Sequence, residues 1–243
     1  MRKIVGIFRD PMTTLAAGAP GALAARPAPF LRSTIGRKMT MAVTGVILFG
    51  FVLGHMAGNL QLYLGPVVMN HYAVVLRQFL HGTGIWIARA VLLLSVGLHI
   101  WSATTLTLDN WRARPVRYRR WEADGSDYAS RTMRWSGYIL AAFIVFHLLD
   151  LTFGSANPGF VPGDVYGNVV ASFSRWPVAL AYVVAMLLLG LHVRHGVWSL
   201  FRSLGVTHPR YIRAVKLLAL LFALLIVVGN CSFPLAVLFG WVR

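Results

Sequence analysis

Residues 40–64 read TMAVTGVILFGFVLGHMAGNLQLYL, a run without a single Asp, Glu, Lys or Arg. At 1.5 Å of rise per residue, about 20 apolar residues are enough for a helix to cross the hydrocarbon core of a bilayer. Inside this run stands His55, and an imidazole in hydrocarbon is costly unless it has a ligand or a hydrogen-bond partner. An uncharged span with a histidine inside it is therefore the pattern to follow along the rest of the chain.

Four further stretches are long and apolar enough to cross, each with a single charged residue: Ile85–Leu108, Trp135–Phe153, Trp176–Phe201 and Ala214–Trp241. The whole composition agrees, because 57% hydrophobic residues against 12% charged ones, with a mean hydropathy of +0.66, exclude an ordinary soluble domain. The net charge of +16 and a pI near 11.3 would suggest nucleic-acid binding in a soluble protein. Here the basic residues sit in the connections between apolar runs, where they set topology and meet headgroups, so no nucleic-acid partner is expected. The expected fold is an all-α membrane protein, a bundle of five transmembrane helices.

The connections differ in charge, and that fixes a direction. Arg2, Lys3, Arg9, Arg26, Arg32, Arg37 and Lys38 precede the first span. Arg112, Arg114, Arg117, Arg119, Arg120, Arg131 and Arg134 lie between the second and third, and Arg202, Arg210, Arg213 and Lys216 between or just inside the fourth and fifth. The other two connections, Gly65–Gly84 and Gly154–Arg175, hold little beyond Arg77 and Arg175. The positive-inside rule then predicts a cytoplasmic N-terminus and an outer C-terminus. Residues 1–38, with prolines at 11, 20, 27 and 29 and a short Gly/Ala-rich apolar stretch, read as a cytoplasmic N-terminal arm rather than a cleaved signal peptide. Residues 39–243 read as one membrane domain without an internal repeat.

Each of the first four spans places a histidine in its interior: His55, His99, His147 and His192. Spans one and three run outward and spans two and four inward, and each histidine lies past its span's midpoint. His55 and His147 therefore fall about 4–6 Å to the outer side of the bilayer centre, and His99 and His192 a similar distance to the inner side. Two imidazoles from facing helices at one level are what a six-coordinate b-type haem needs, and a haem with both axial positions filled carries electrons rather than binding oxygen or substrate. Cys231 is the lone cysteine, so the chain offers no C-x-x-C-H attachment and any haem is held without covalent linkage. The alternative reading of the four histidines is hydrogen bonding between helices.

Gly50, Gly54 and Gly58 line one face of span one, leaving room either for a flat macrocycle or for a close neighbouring helix. Arg89, Arg194 and His195 sit near span ends, where they are candidates for haem propionates. Snorkelling to headgroups accounts for Arg194 equally well.

The motifs that surround these residues resemble a known family. H55-M-A-G-N-L-Q-L-Y is followed by N70-H-Y-A-V-V-L; H99-I-W-S-A-T-T-L precedes N110-W-R-A-R-P; and span four gives L191-H-V-R-H-G-V-W-S. From Ser33 onward the chain resembles the single-subunit, five-helix, two-haem cytochrome b membrane anchor of succinate dehydrogenases and fumarate reductases. The resemblance implies that His55 and His147 ligate the iron of an outer haem b and His99 and His192 that of an inner one, with His195 not a ligand. It implies two partner subunits on the cytoplasmic face: a flavoprotein with FAD and an iron–sulfur protein. It also implies membrane lipid, menaquinone or another quinone as electron partner, and a multi-pass location in a bacterial inner membrane. The expected role is that of the non-succinate-oxidising subunit of succinate:quinone oxidoreductase, moving electrons between the iron–sulfur subunit and quinone.

The sequence departs from some members, which use glutamates in the anchor for proton movement. Here the single glutamate is Glu122, in a connection. Asp150, three residues after His147, is a candidate proton relay, but a polar helix end in contact with water or headgroups is the reading the sequence favours. Quinone needs hydrogen-bond donors, and the candidates are His71, Arg77 and His81 on the outer side and Ser33, Arg37 and Trp101 on the inner side; each also reads as an ordinary interfacial anchor. No catalytic residue is assigned. The rival functions are a two-haem cytochrome of another quinone-linked dehydrogenase or hydrogenase, a haem-free anchor of the same complex, and a transporter. A transporter usually shows broken helices or an acidic pathway, and Pro234 is the one proline deep in a span.

Overall fold

A computed structural model describes residues 29–113, 128–206 and 208–243. Arg2, Lys3, Arg9, Arg26, Arg114, Arg117, Arg119, Arg120 and Glu122, and most of the N-terminal arm, lie outside the described residues. Within them the chain is helical throughout, with no strand. Seven α-helices follow in order: α1 Thr34–Asn59, α2 Pro66–Gln78, α3 Thr83–Arg112, α4 Tyr128–Leu151, α5 Val165–Phe173, α6 Trp176–Ser203 and α7 Pro209–Leu238. Five of them, α1, α3, α4, α6 and α7, are long and apolar enough to cross a membrane.

The first helix starts earlier than its uncharged run. Ser33 caps it, its hydroxyl accepting from the Gly36 N–H at 2.9 Å and donating to the Phe30 carbonyl at 2.7 Å, so the helical turn containing Arg37 and Lys38 is already formed when the apolar segment begins. Arg37 closes a salt bridge to Asp109 at 2.7 Å, which ties the start of α1 to the end of α3. At the other end of the molecule, α4 stops at Leu151 rather than continuing to Phe153. The N–H groups of Thr152 and Phe153 both turn back to the Leu148 carbonyl, and Gly154 takes the left-handed φ of 79° that closes the helix.

Two connections are more structured than their sequence suggests. Gly65–Gly84 contains α2, started by Pro66 at its first turn, and Gly154–Arg175 contains α5, capped by the Asp164 carboxylate. Both are too short to span and lie across the end of the bundle remote from Ser33. Asn70 joins them, donating to Asp164 at 2.9 Å and accepting from the Tyr166 N–H at 3.0 Å. Most of the well-buried core collects here: Leu62, Met69, Val169, Phe173, Tyr182, Phe233 and Ala236 pack into one cluster. Along the spans, by contrast, large side chains such as Leu93, Leu94, Leu221 and Val228 remain exposed, as lipid-facing positions must.

The spans pair unequally. α1 packs along α3, α4 along α6, and α6 most closely along α7, whereas α1 touches α6 and α7 only locally. Gly190 allows the tightest of these approaches, since a Cβ there would collide with Val227 of α7, and Gly229 of α7 likewise faces Met56 of α1. The result is two helix pairs, α1/α3 and α4/α6, meeting along a loosely filled seam.

The two pairs share a sequence pattern that a linear reading misses. T44-G45-x5-F51-x3-H55 in α1 matches S136-G137-x5-F143-x3-H147 in α4, and G97-L98-H99 in α3 matches G190-L191-H192 in α6. The expectation of no internal repeat is thus corrected: short motifs spread over long apolar helices are hidden by the Leu, Val and Ala that fill both halves.

Candidate functional site

The four span histidines meet in two pairs across the seam. His55 of α1 faces His147 of α4 with ring centres 5.8 Å apart and planes at 86°; His99 of α3 faces His192 of α6 at 6.2 Å and 54°. The pairs occupy different depths. Thr44, eleven residues before His55 on α1, touches His99, which separates the two levels by roughly 16 Å of helix. Each phenylalanine of the repeated motif lies beside its histidine, Phe51 stacked on His55 at 5.3 Å and Phe143 tilted against His147 at 6.0 Å.

Hydrogen bonds fix which nitrogen is free in two of the four rings. The Tyr182 hydroxyl donates its one proton to Asp150 Oδ2 at 2.9 Å, so at 3.2 Å from His147 Nδ1 it can only accept. His147 therefore carries its proton on Nδ1 and leaves the Nε2 lone pair bare. Thr44 repeats the logic on a smaller scale: its hydroxyl donates to the Thr40 carbonyl at 2.7 Å and accepts from His99 Nδ1 at 3.2 Å. His192 Nδ1 is buried with no hydrogen-bond partner.

These features fit axial ligation of a macrocycle. Two imidazoles on one metal, each nitrogen about 2 Å from it, have ring centres roughly 6 Å apart. An imidazole nitrogen in hydrocarbon is costly unless a ligand or a hydrogen-bond partner satisfies it. Glycines lie where a flat group needs space: a Cβ on Gly50, Gly54, Gly97 or Gly196 would meet nothing within 4 Å, and Gly45 and Gly137 lie beside His99 and His192. Among the described residues no group of three or more His, Cys, Asp or Glu side chains gathers as a bare metal ion would require; the donors come in twos. Gly58 belongs to packing instead, because a Cβ there would press on the Tyr72 ring of α2.

Asp150 is placed differently from its sequence reading. It does not end its helix in water but is fully buried, at 0% exposure. Arg175 reaches over from the start of α6 to bind it at 2.6 Å, and Ser172 of α5 donates to it at 2.5 Å. The sequence signal was the lone acid one turn beyond His147; its partners come from 22 to 32 residues further on, Ser172 from α5 and Arg175 and Tyr182 from the start and the body of α6.

The remaining candidates are scattered. Arg89 lies on an exposed face of α3, its guanidinium 4.8 Å over the Trp86 ring. Arg194 and His195 follow His192 within one turn, and His195 lines an open cleft of about 570 Å³ with Lys38, Trp198, Ser199 and Arg202. Ser33 and Arg37 both serve the α1 terminus, as cap and ion pair, and Trp101 is exposed two residues past His99. On the far face, His71 and Arg77 are exposed on α2, and His81 is exposed in the following turn, where Leu80 and His81 both adopt left-handed φ values of 52° and 54°. The structure thus gathers the four ligand candidates and leaves the quinone candidates apart.

Five helices long and apolar enough to span, with two imidazole pairs at two depths, define a multi-helix membrane protein. Residues 112–228 match the family described as Succinate dehydrogenase/Fumarate reductase transmembrane subunit. The match covers 117 of the chain's 243 residues, and over that segment the chain is similar to this family of membrane subunits. The matched segment contains His147 and His192; His55 and His99 precede it. No curated protein and no solved structure matches the chain.

Proposed function

We propose that this subunit holds two b-type haems, one between His55 and His147 and one between His99 and His192, and passes electrons between the complex's iron–sulfur subunit and a quinone. The observation that carries the reading is the facing of two imidazole pairs, 5.8 and 6.2 Å apart, across the seam between α1/α3 and α4/α6. Bound there, each haem supplies a one-electron carrier without an open axial position. The chain's own residues do the rest: Tyr182 and Thr44 hold two imidazoles in the tautomer that presents Nε2, the glycine faces admit the ring, and the apolar spans keep water from the axial nitrogens.

Sidedness follows from charge. Arg32, Arg37, Lys38, Arg112, Arg134, Arg202, Arg210, Arg213 and Lys216 gather at the Ser33 end of the bundle, against Arg77, Arg175 and Arg243 at the other. The Ser33 end is accordingly assigned to the cytoplasm, where the iron–sulfur protein and the FAD-bearing flavoprotein dock. His99 and His192 then form the inner site and His55 and His147 the outer one. Lys38, His195 and Arg202 in the cleft beside the inner site are suited to carboxylates or to a quinone oxygen.

Haem quantitation by pyridine haemochrome on the purified complex tests this. Two haems per chain are expected, falling to one in His55→Ala and to the other in His99→Ala. A native complex without haem would sink the reading and leave the imidazole pairs as contacts between helices.

A further inference from the structure

The two histidine pairs are built on one repeated motif, yet their surroundings differ, most of all at two positions. Under the repeat that superposes α3 on α6, the position of Tyr182, ten residues before His192, corresponds to Arg89, ten before His99. The position of Asp150, three residues after His147, corresponds to Gly58, three after His55. One half of the molecule therefore carries a phenol and a carboxylate where the other carries neither. His147 alone is backed by an ionic network: Nδ1–H to Tyr182, Tyr182 O–H to Asp150 Oδ2, and Asp150 held by Ser172 and by Arg175, which is itself anchored to the Ala156 carbonyl at 2.9 Å. His99 is backed by the Thr44 hydroxyl and the Met41 backbone, neither of them charged, and Ser136, the counterpart of Thr44, donates to its own helix at Met133.

We propose that Tyr182 is a positioning residue that, with Asp150 behind it, makes His147 the most electron-rich of the four imidazoles and so sets the haem of the His55–His147 site apart from the other. The inference rests on the haem reading above. Its physical basis is that a hydrogen bond from the remote N–H of a ligating imidazole toward a negative charge raises the basicity of the ligating nitrogen. A more basic ligand stabilises the ferric over the ferrous state, which lowers that site's midpoint potential. The carboxylate does not touch the ring. It acts by polarising the phenol, and Arg175 and Ser172 keep its position fixed while Phe143, Phe146 and Phe173 pack around Tyr182 and exclude water.

The test is a redox titration with low-temperature electron paramagnetic resonance on the complete membrane-bound complex, comparing native, Tyr182→Phe and Ser172→Ala. The signal absent from a His55→Ala complex identifies the site concerned. In Tyr182→Phe, two haems are expected to remain, with the potential of that site shifted upward, its low-spin signal displaced, and the other site unmoved. Ser172→Ala, which leaves both ring and phenol in place, is expected to give a smaller shift in the same direction. Two haems with native potentials in Tyr182→Phe, or equal shifts at both sites, would overturn the inference while leaving the haem reading intact. Should Tyr182→Phe fail to assemble, Ser172→Ala decides, and a native potential there overturns it. A native complex that contains no haem removes the haem reading and this inference together.

Discussion

His147 and His192 show how much a single hydrogen bond decides. Both are span histidines in matched helices, but one has its Nδ1–H committed to Tyr182 and the other has a buried Nδ1 without a partner. The polar side chains outside the spans matter for different reasons. Asp164 caps α5 and receives hydrogen bonds from the Gly167 N–H and from Asn70, both at 2.9 Å, which hold its carboxyl below its ordinary value of 3.8. A depressed pKa means the folded form favours the carboxylate. The stabilisation is therefore complete above pH 4 or so and is lost as pH falls through the depressed value. Hydrogen exchange is expected to show the α5 amides and the Asn70 contact losing protection below about pH 4, and Asp164→Asn is expected to flatten that dependence. An α5 that exchanges equally at pH 3 and pH 6 in the native chain would count against this role. At this scale the four span histidines named from the sequence come together in two pairs, whereas Tyr182 stayed hidden because nothing in a Val/Ala/Leu-rich span distinguishes a tyrosine that faces a histidine from one that faces lipid.

Among the elements, the five spans were legible because hydrocarbon thickness imposes a length and excludes charge. α2 and α5 were not, because short helices in connections show no such constraint; Pro66 and Asp164 mark their starts, and both residue types are equally common in turns. Yet α5 is what brings Ser172 over Asp150, and the turn after it brings Arg175. Arg175→Ala leaves a buried carboxylate without its cation. The expected destabilisation is about 3 kcal/mol, at the low end for a broken buried pair because Arg175 keeps partial solvent contact. Thermal unfolding of the detergent-solubilised complex reads it as a lowered midpoint, and Arg175→Lys should recover part of the loss. A native midpoint in Arg175→Ala would show that the pair does not fasten α4 to the α5–α6 corner.

For the whole molecule, the seam is the decisive feature. α6 and α7 interlock through Gly190, α1 packs on α3, and the far end is sealed by the cluster around Phe173 and Phe233, whereas α1/α3 and α4/α6 meet more locally, at the two histidine pairs and where Leu53 and Met56 join that cluster. On the proposed function, haems bridging the seam would hold the two halves together, and their binding free energy would add to the stability of the assembled bundle. Haem depletion, by growth under haem limitation, is expected to lower the thermal midpoint and to increase hydrogen exchange in α1 and α3 more than in α6 and α7. Equal exchange in all spans would show that the halves are held by protein contacts alone.

What the amino-acid sequence determined by itself was the solvent of the protein, the number of its spans and the four histidines placed within them, since each follows from local rules: an apolar length, and the cost of a polar ring in hydrocarbon. The pairing across a seam, the burial of Asp150 and the commitment of Tyr182 to His147 were decided only by the tertiary structure. Those contacts join residues 22 to 93 positions apart, and the angle at which one helix presents a side chain to another is not written in either helix alone.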